Sequence, residues 1–532
     1  MEYTNVSIPA FEPTPLETIP AIASAARGAF RSHRTKSLQW RQVQLRKFYW
    51  AVEDYKPQLL AALQKDLHKS TFESLLTEID WLKKDCIFML DHLESFAKDE
   101  KLGSPAVPAV YSIMKMRVRK DPVGTVLIIG PYNFPVQLLL APFIGAIGAG
   151  CTAVVKPSEL TPACAMVIKE MIEKRLDNDA FAVVNGGIPE TTALMNEKWD
   201  KVFFTGSATV GKIIARKAAE TLTPVVLELG GKNPAFVTKK ANLALAARRL
   251  LWGKTLNAGQ VCLSQNYILV DKDVVTTFIE HLKQAYREMF PNGAKASPDF
   301  ARVVNQRHFF RLKKMLDDTK GKIVMGGAMD ESELFIEPTA VLVNSVNDSM
   351  MQEESFGPIF SIYPVNSLDE ALNIANLVHR TPLSLFSFGS KAENERILNE
   401  MTSGGATVND SYFHATLNTV PFGGVGDSGW GAYRGKASFD CFTHFRTIAE
   451  PPSWAESLMR VRYMPYDLSR LSMLSRLMDK KPNFDRNGQV IKGLGYWMSM
   501  ILCLGGTGAK GALVRWAVIL AAHYLYRIRA GQ

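Results

Sequence analysis

From residue 123 onward one pattern recurs: short apolar runs that begin or end at glycine, each followed by a stretch with helical spacing. "VGTVLIIG" (123–130) is apolar on consecutive residues, so both of its faces need cover, as in a parallel strand between two layers of helices. "QLLLAPFIGAIGAG" (137–150) reads as a helix, "CTAVVKP" (151–157) as a strand and "PACAMVIKEMIEKRL" (162–176) as a helix. "FAVV" (181–184) and "KVFFTGS" (201–207) are further strands, the second running into a glycine turn and the helix "VGKIIARKAAE" (210–220). This alternation predicts an α/β fold with a doubly wound sheet. A second series, from about 232 to about 425, mixes strands such as "YILV", "PTAVLV" and "PIFSIY" with helices. Ahead of both, residues 20–100 space apolar positions three and four apart and read as helical. The segment "AVYSIMKMRVRKDP" (109–122) alternates apolar and basic residues and is expected to form an exposed ribbon that needs a partner chain to cover it.

At 532 residues the chain is expected to divide into two or three domains. A hydrophobic content of 47% with 21% charged residues excludes a disordered protein. The six cysteines are scattered without CxxC or a His/Cys cluster, so neither a disulfide framework nor a bound metal is expected, and a reducing compartment fits. The N-terminus lacks an apolar core of the secretory type, which strips meaning from the N-x-S triplets at 5, 347 and 409. The net charge of +10 is uneven: residues 451–532 carry twelve Lys/Arg against four Asp/Glu, leaving only +2 for the first 450 residues. The basic excess lies beside apolar stretches and not among stacked aromatics, which argues against nucleic acid.

Four motifs carry chemistry, and each also has a plainer reading. "FFTGSATVG" (203–211) ends a strand at Gly206 and Ser207 and opens a helix through Val210 and Gly211, where backbone amides attract phosphate; many glycine turns bind nothing. "VVKPSE" (154–159) sets Lys156 and Glu159 at a strand's carboxyl end, where a ribose would sit, or is simply a solvated turn. "VVLELGGKNP" (225–234) leaves Glu228 inside an apolar strand, a costly place for a carboxylate without a use or a salt bridge. "PYNFP" (131–135) offers the Asn133 amide as an oxyanion donor or a turn residue, and "NAGQVC" (257–262) puts Cys262 in a polar loop, as nucleophile or small core residue.

Taken in order, PYNFP, VVKPSE, FFTGSATVG, LELGGKNP, GQVC, EESFGP (353–358) and PFGGVGDSGWGAYRGKASFDCFTHFR (421–446) resemble the aldehyde dehydrogenase superfamily over about residues 20–450. The 34-residue step from Glu228 to Cys262 is that of the family, and "VND" (408–410) with "GAYRGKASFDCFTH" resembles its class-3, fatty aldehyde branch. The resemblance implies a Rossmann-like cofactor domain at 1–230 with the bridging ribbon at 109–122, and a catalytic domain at 231–424. It implies a β bridging and oligomerisation segment at 425–450 and, beyond 451, a basic, apolar tail. Cys262 would attack the aldehyde, Asn133 and the Cys262 amide would hold the oxyanion, and Glu228 would be the general base. Lys156 and Glu159 would hold the adenine ribose, Gly206, Ser207, Val210 and Gly211 the pyrophosphate side, and Glu354 and Phe356 the nicotinamide ribose and ring. NAD is the expected cofactor, with NADP second because Glu159 faces the added phosphate. The partners implied are a long-chain aldehyde, a second copy in a homodimer, and a membrane met by the tail, with the active site facing the cytosol.

The substrate implied is a fatty aldehyde or, as in some fungal relatives, an apocarotenoid aldehyde such as β-apo-4′-carotenal. Two departures, "LSQNY" after Cys262 and Ser355 within "EESFGP", are expected to touch the substrate side. The alternatives are a CoA-acylating dehydrogenase, which lacks the base that Glu228 supplies, and a non-catalytic membrane-bound relative, which loses one of the three catalytic residues. In the tail, Leu468, Leu471, Leu474 and Leu477 fall on one helical face. The apolar runs 494–506 and 512–526 are shorter than the ~20 residues that span a bilayer and suit its interface.

Overall fold

The fold is described from a computed structural model covering residues 6–102, 109–469, 471–472, 475, 482–502 and 509–530. It divides into one unit of residues 1–100 and 118–448 and a second of 101–117 and 449–532.

In the first unit, the glycine-bounded runs become two sheets. The six-stranded sheet runs in the order Gly429–Trp430, Val225–Glu228, Lys201–Thr205, Thr125–Ile129, Thr152–Lys156, Phe181–Val183. All its pairings are parallel except the last-added edge, where Gly429 and Trp430 run antiparallel to Glu228 and Leu227. The chain starts at Thr125–Ile129, builds outward to Phe181–Val183, then crosses back to Lys201–Thr205. That reversal opens a crevice at the carboxyl ends of the central strands, the place where such sheets bind ligands. Strands Thr125–Ile129 and Thr152–Lys156 are buried at every residue, as their unbroken apolar runs require. The helix Gln137–Ala149 between them is buried all round, since its sequence is apolar on every face.

The seven-stranded sheet has the order Lys322–Met325, Thr339–Leu342, Ile359–Val365, Gln265–Asp271, Asn233–Val237, Ser384–Phe388, Gly405–Val408. Only the Lys322–Met325 edge is antiparallel. The doubly wound α/β architecture is thus present twice. The helical reading of 20–100 corresponds to Ile19–Arg31, Leu38–Asp54, Lys56–Leu67 and Asp80–Ala97, with a π-helical turn at Leu75–Ile79.

The ribbon expected at 109–122 is corrected. Residues Ala109–Met114 form 3₁₀ turns, and only Arg117–Pro122 is a strand. That strand is the middle one of three, between Glu100–Lys101 and Thr443–Ile448. Both its edges are satisfied within the chain, and the outer strand Thr443–Ile448 is mostly exposed. The strand itself is half-buried, with Pro122 buried, and not the exposed ribbon expected, because periodicity says nothing of which neighbour pairs with it.

The second unit contains the helices Leu494–Leu502 and Ala509–Ala530. The latter exposes Leu513, Val514, Val518 and Leu520, and the Trp516 indole donates to the Leu502 carbonyl at 2.7 Å. Among the described residues no helix is long and apolar enough to cross a membrane. Of the expected leucine face, Leu468 and Leu471 are exposed, whereas Leu474 and Leu477 lie outside the described residues.

Candidate active site

The loop before Cys262 is irregular because two residues without glycine's freedom, Asn257 and Ala258, take left-handed conformations at φ 50° and 51°. Carboxamides hold this shape. Asn257 Nδ2 donates to the Asn133 and Gln260 carbonyls at 2.7 and 3.1 Å. Gln260 Nε2 reaches the Asn257 and Arg302 carbonyls, and its Oε1 accepts from the Val304 amide. Asn233 Nδ2 donates to the carbonyls of Cys262 (2.7 Å) and Ser264 (3.0 Å). Together these bonds satisfy buried backbone groups of the loop and its neighbours. Sequence reasoning missed these three amides; the signal for Asn257 and Gln260 was their place in a loop that the core encloses, whereas Asn233 opens the strand Asn233–Val237.

Of the five described cysteines, four are buried and Cys262 is partly exposed. It lines a cavity of about 880 Å³ at the carboxyl ends of the six-stranded sheet, together with Asn133 and Glu228. Asn133 is buried, its Nδ2 donating to the Gln260 carbonyl at 3.0 Å, so the amide is fixed beside the cysteine loop. Glu228 is 4% exposed, and neither carboxylate oxygen has a partner among the described residues. Burial drives its pKa well above the usual range, against the opposing field of Arg434. The Cys262 thiol is pushed up to about 12 by burial and by the charges of Glu354 and Glu228. Arg434 and the thiol's own backbone N–H pull the other way.

The same cavity is lined by Lys156, Glu159, Gly206, Ser207 and Val210. Lys156 Nζ donates to Glu159 Oε2 at 3.2 Å and to the Pro157 carbonyl, and the Glu159 side chain is 41% exposed. Burial lowers the Lys156 pKa while Glu159 raises it. Ser207 caps the helix Ala208–Ala219 by accepting from the Val210 amide at 3.4 Å, and Val210 is exposed toward the opening. Gly211 does not line the cavity; it is buried behind it against Leu229. Glu354 and Phe356 line it too. Glu354 lies so close over Gly230 that a Cβ there would be 2.4 Å from Oε2, which accounts for the glycine at that position. Withdrawal from water lifts the Glu354 carboxyl to about 7, opposed by the Gly231 amide, Lys254 and Arg311.

Tyr132, His308 and Arg311 also border the cavity and were not legible as site residues. Arg311 donates to the carbonyls of Glu354 (3.1 Å) and Ser355 (2.6 Å), and His308 is held neutral near neutral pH, its pKa lowered to about 4 by burial and by Arg311 and Arg307. Nothing in the amphipathic pattern of the helix Gln306–Asp318 separates His308 and Arg311 from ordinary surface positions, and Tyr132 is one more residue of a proline-flanked bend.

The expectation that the sequence departures touch the substrate side is corrected. Ser355 is buried outside the cavity lining, and its Oγ accepts from Lys254 Nζ at 3.0 Å. Asn266 Oδ1 accepts from the Ser355 amide at 2.6 Å, and Lys254 also donates to the Gln265 carbonyl. The departures therefore meet one another behind the Glu354–Phe356 turn.

Residues 4–448 match the aldehyde dehydrogenase family. The chain belongs to that family. It is 71% identical to the beta-apo-4′-carotenal oxygenase of Neurospora crassa, over 99% of this chain and 98% of that protein. It is 40% identical to aldehyde dehydrogenase family 3 member A2 of Mus musculus, over 87% of this chain and 95% of that protein. The solved substrate-bound state of Staphylococcus aureus AldH has a TM-score of 0.84 and 39% identity, covering 87% of this chain and 99% of that one. The family expected from the motifs and its two-sheet α/β fold are thus established, and the chain is an aldehyde dehydrogenase that uses NAD(P).

Proposed function

We propose that this aldehyde dehydrogenase oxidises a long apolar aldehyde of the apocarotenoid class, β-apo-4′-carotenal being the test compound, to its acid through a thioester on Cys262. The observation that carries the chemistry is that Cys262, Asn133 and Glu228 share one cavity with a dinucleotide-sized cradle. The substrate class rests on 71% identity, over nearly the whole length of both chains, to a protein named for that aldehyde. A fatty aldehyde, implied by the class-3 resemblance, is the second candidate.

The residues present fit NAD(P). The capped N-terminus of Ala208–Ala219 faces the cavity with Gly206 and Val210, Lys156 and Glu159 stand at the end of a strand one removed from it in the sheet, and Glu354 and Phe356 line the same cavity. Bound NAD(P) supplies the hydride acceptor. Cys262 Sγ, its proton passed to solvent water, forms the bond to the carbonyl carbon as the C=O π pair moves onto oxygen, and the Asn133 amide with the Cys262 N–H stabilises that oxyanion. Loss of hydride from that adduct leaves the acyl group on sulfur. Glu228 then takes a proton from water, whose oxygen attacks the thioester; the acid departs and the Cys262 sulfur is released. A buried carboxylate without fixed partners suits this task, since it is free to reach a water. Glu159 favours NAD, because its carboxylate accepts from ribose hydroxyls and opposes a 2′-phosphate.

Residues 1–230 act as the cofactor domain, 231–424 as the catalytic domain and 425–450 as the oligomerisation segment. Two copies form a homodimer through the exposed edge strand Thr443–Ile448. The basic, apolar tail lies on a membrane surface and keeps the active site on the cytosolic side, near dissolved substrate. Assaying β-apo-4′-carotenal, hexadecanal and benzaldehyde side by side with NAD and with NADP tests the reading. The highest kcat/KM is expected for the apocarotenal with NAD; a preference for benzaldehyde overturns the substrate class.

A further inference from the structure

Behind Asn133 lies an ion pair in which both side chains are fully buried: Lys69 Nζ is 2.7 Å from Glu78 Oε1. Glu78 belongs to the π-helical turn Leu75–Ile79, set between the helices Thr71–Ser74 and Asp80–Ala97. Such turns insert a residue into a helix, re-aim side chains, and recur at functional sites. Here the carboxylate faces the start of the helix Gln137–Ala149. Glu78 Oε2 accepts from the amides of Val136 and Gln137, both at 3.0 Å. Lys69 Nζ leans over the Phe134 ring at 4.2 Å from its centre and points to the Asn133 carbonyl at 3.4 Å. The pair thus grips residues 133–137 from one side. From the other, Asn257 Nδ2 donates to the same Asn133 carbonyl at 2.7 Å, and the Gln260 carbonyl receives the Asn133 side chain at 3.0 Å.

We infer that Lys69 and Glu78 are positioning residues for the oxyanion donor. They fix the turn that carries Asn133, so that its amide meets the oxyanion in the acylation step, and they touch neither substrate nor cofactor. This rests on the proposed role of Asn133. Burying two charges for packing alone is poorly rewarded, because a neutral apolar pair fills the same space without desolvation. A carboxylate that accepts two amides at a helix start, held by a lysine, instead gives a stiff and directional anchor. Small displacements of an oxyanion donor cost rate steeply.

The test is the pre-steady-state burst of NADH formation by the full-length enzyme with hexanal, in Glu78→Gln, Asn133→Ala and the double variant. Glu78→Gln is expected to slow the burst about 10- to 100-fold while the KM for NAD stays within about twofold. In the Asn133→Ala background, Glu78→Gln is expected to cause no further slowing, because the pair acts through that one amide. A wild-type burst in Glu78→Gln, or losses that multiply in the double variant, overturns the positioning role and leaves Asn133 as proposed. A wild-type burst in Asn133→Ala removes the oxyanion role itself, and the positioning role falls with it. Should Glu78→Gln fail to fold, Glu78→Asp keeps the charge but shortens its reach. It is expected to give a smaller loss confined to the burst, and a wild-type burst from it counts against the inference.

Discussion

Ser355 Oγ accepts a hydrogen bond from Lys254 Nζ at 3.0 Å, in a pocket where Lys254 is 1% exposed. Burial lowers the Lys254 pKa to about 7, with the Glu354 charge opposing that shift. Among the described residues Lys254 has one other acceptor, the Gln265 carbonyl. Ser355→Ile removes an acceptor from a buried amine and is expected to destabilise the enzyme by about 1–3 kcal/mol, read as a lower Tm. Lys254→Met in the same background restores much of the loss, because both polar partners are then gone. A Ser355→Ile enzyme as stable as the wild type contradicts the anchoring role.

The exposed Glu159 carboxylate, tied to Lys156, sets the cofactor prediction. Glu159→Gln is expected to raise kcat/KM for NADP relative to NAD by about tenfold. Steady-state kinetics with both cofactors checks it, and an unchanged ratio shows that Glu159 does not face the phosphate.

The acid–base prediction follows from the directions of two shifts. Both Glu228 and Cys262 have raised pKa values, and both work in their deprotonated forms. At low pH the Cys262 thiol holds its proton, so the acylation rate is expected to climb steadily from about pH 6 to about pH 9, while the Glu228 proton bears on deacylation alone. Stopped-flow bursts across that range are the measurement. A rate that falls with rising pH would mean that a protonated group drives the step.

Much of this fold was legible because parallel strands buried on both faces leave a plain mark: unbroken apolar runs closed by glycine, as at 123–130 and 201–207. The motif residues were legible for a related reason, since a lone Glu228 in an apolar strand has few uses. What stayed hidden depends on neighbours distant in the chain. Ser355 looked like part of the substrate wall until the fold turned it toward Lys254. Glu78 sits in a helical stretch whose periodicity gives no sign of a π turn or of Lys69 nine residues earlier. The 109–122 segment had the composition of an edge, yet Thr443–Ile448 pairs with its strand and takes the edge position instead.

The tail prediction separates membrane contact from chemistry. A chain ending at residue 450 is expected to fractionate as soluble protein and to keep its hexanal activity, while losing efficiency on apocarotenal delivered in anionic vesicles. Full-length protein is expected to stay with membranes through a carbonate wash. Recovery of the full-length chain in the supernatant without detergent removes the membrane role.

The central claim is an acyl group carried on Cys262 and released by Glu228. Acid-quenching Glu228→Gln after mixing with NAD and aldehyde, followed by peptide mass spectrometry, reads it directly. The account predicts one equivalent of NADH in the burst, an acyl mass on the Cys262 peptide, and arrest thereafter, with Cys262→Ala giving neither burst nor adduct while still binding NAD. Sustained turnover by Glu228→Gln at the wild-type rate, with the Cys262 peptide unmodified, would contradict it.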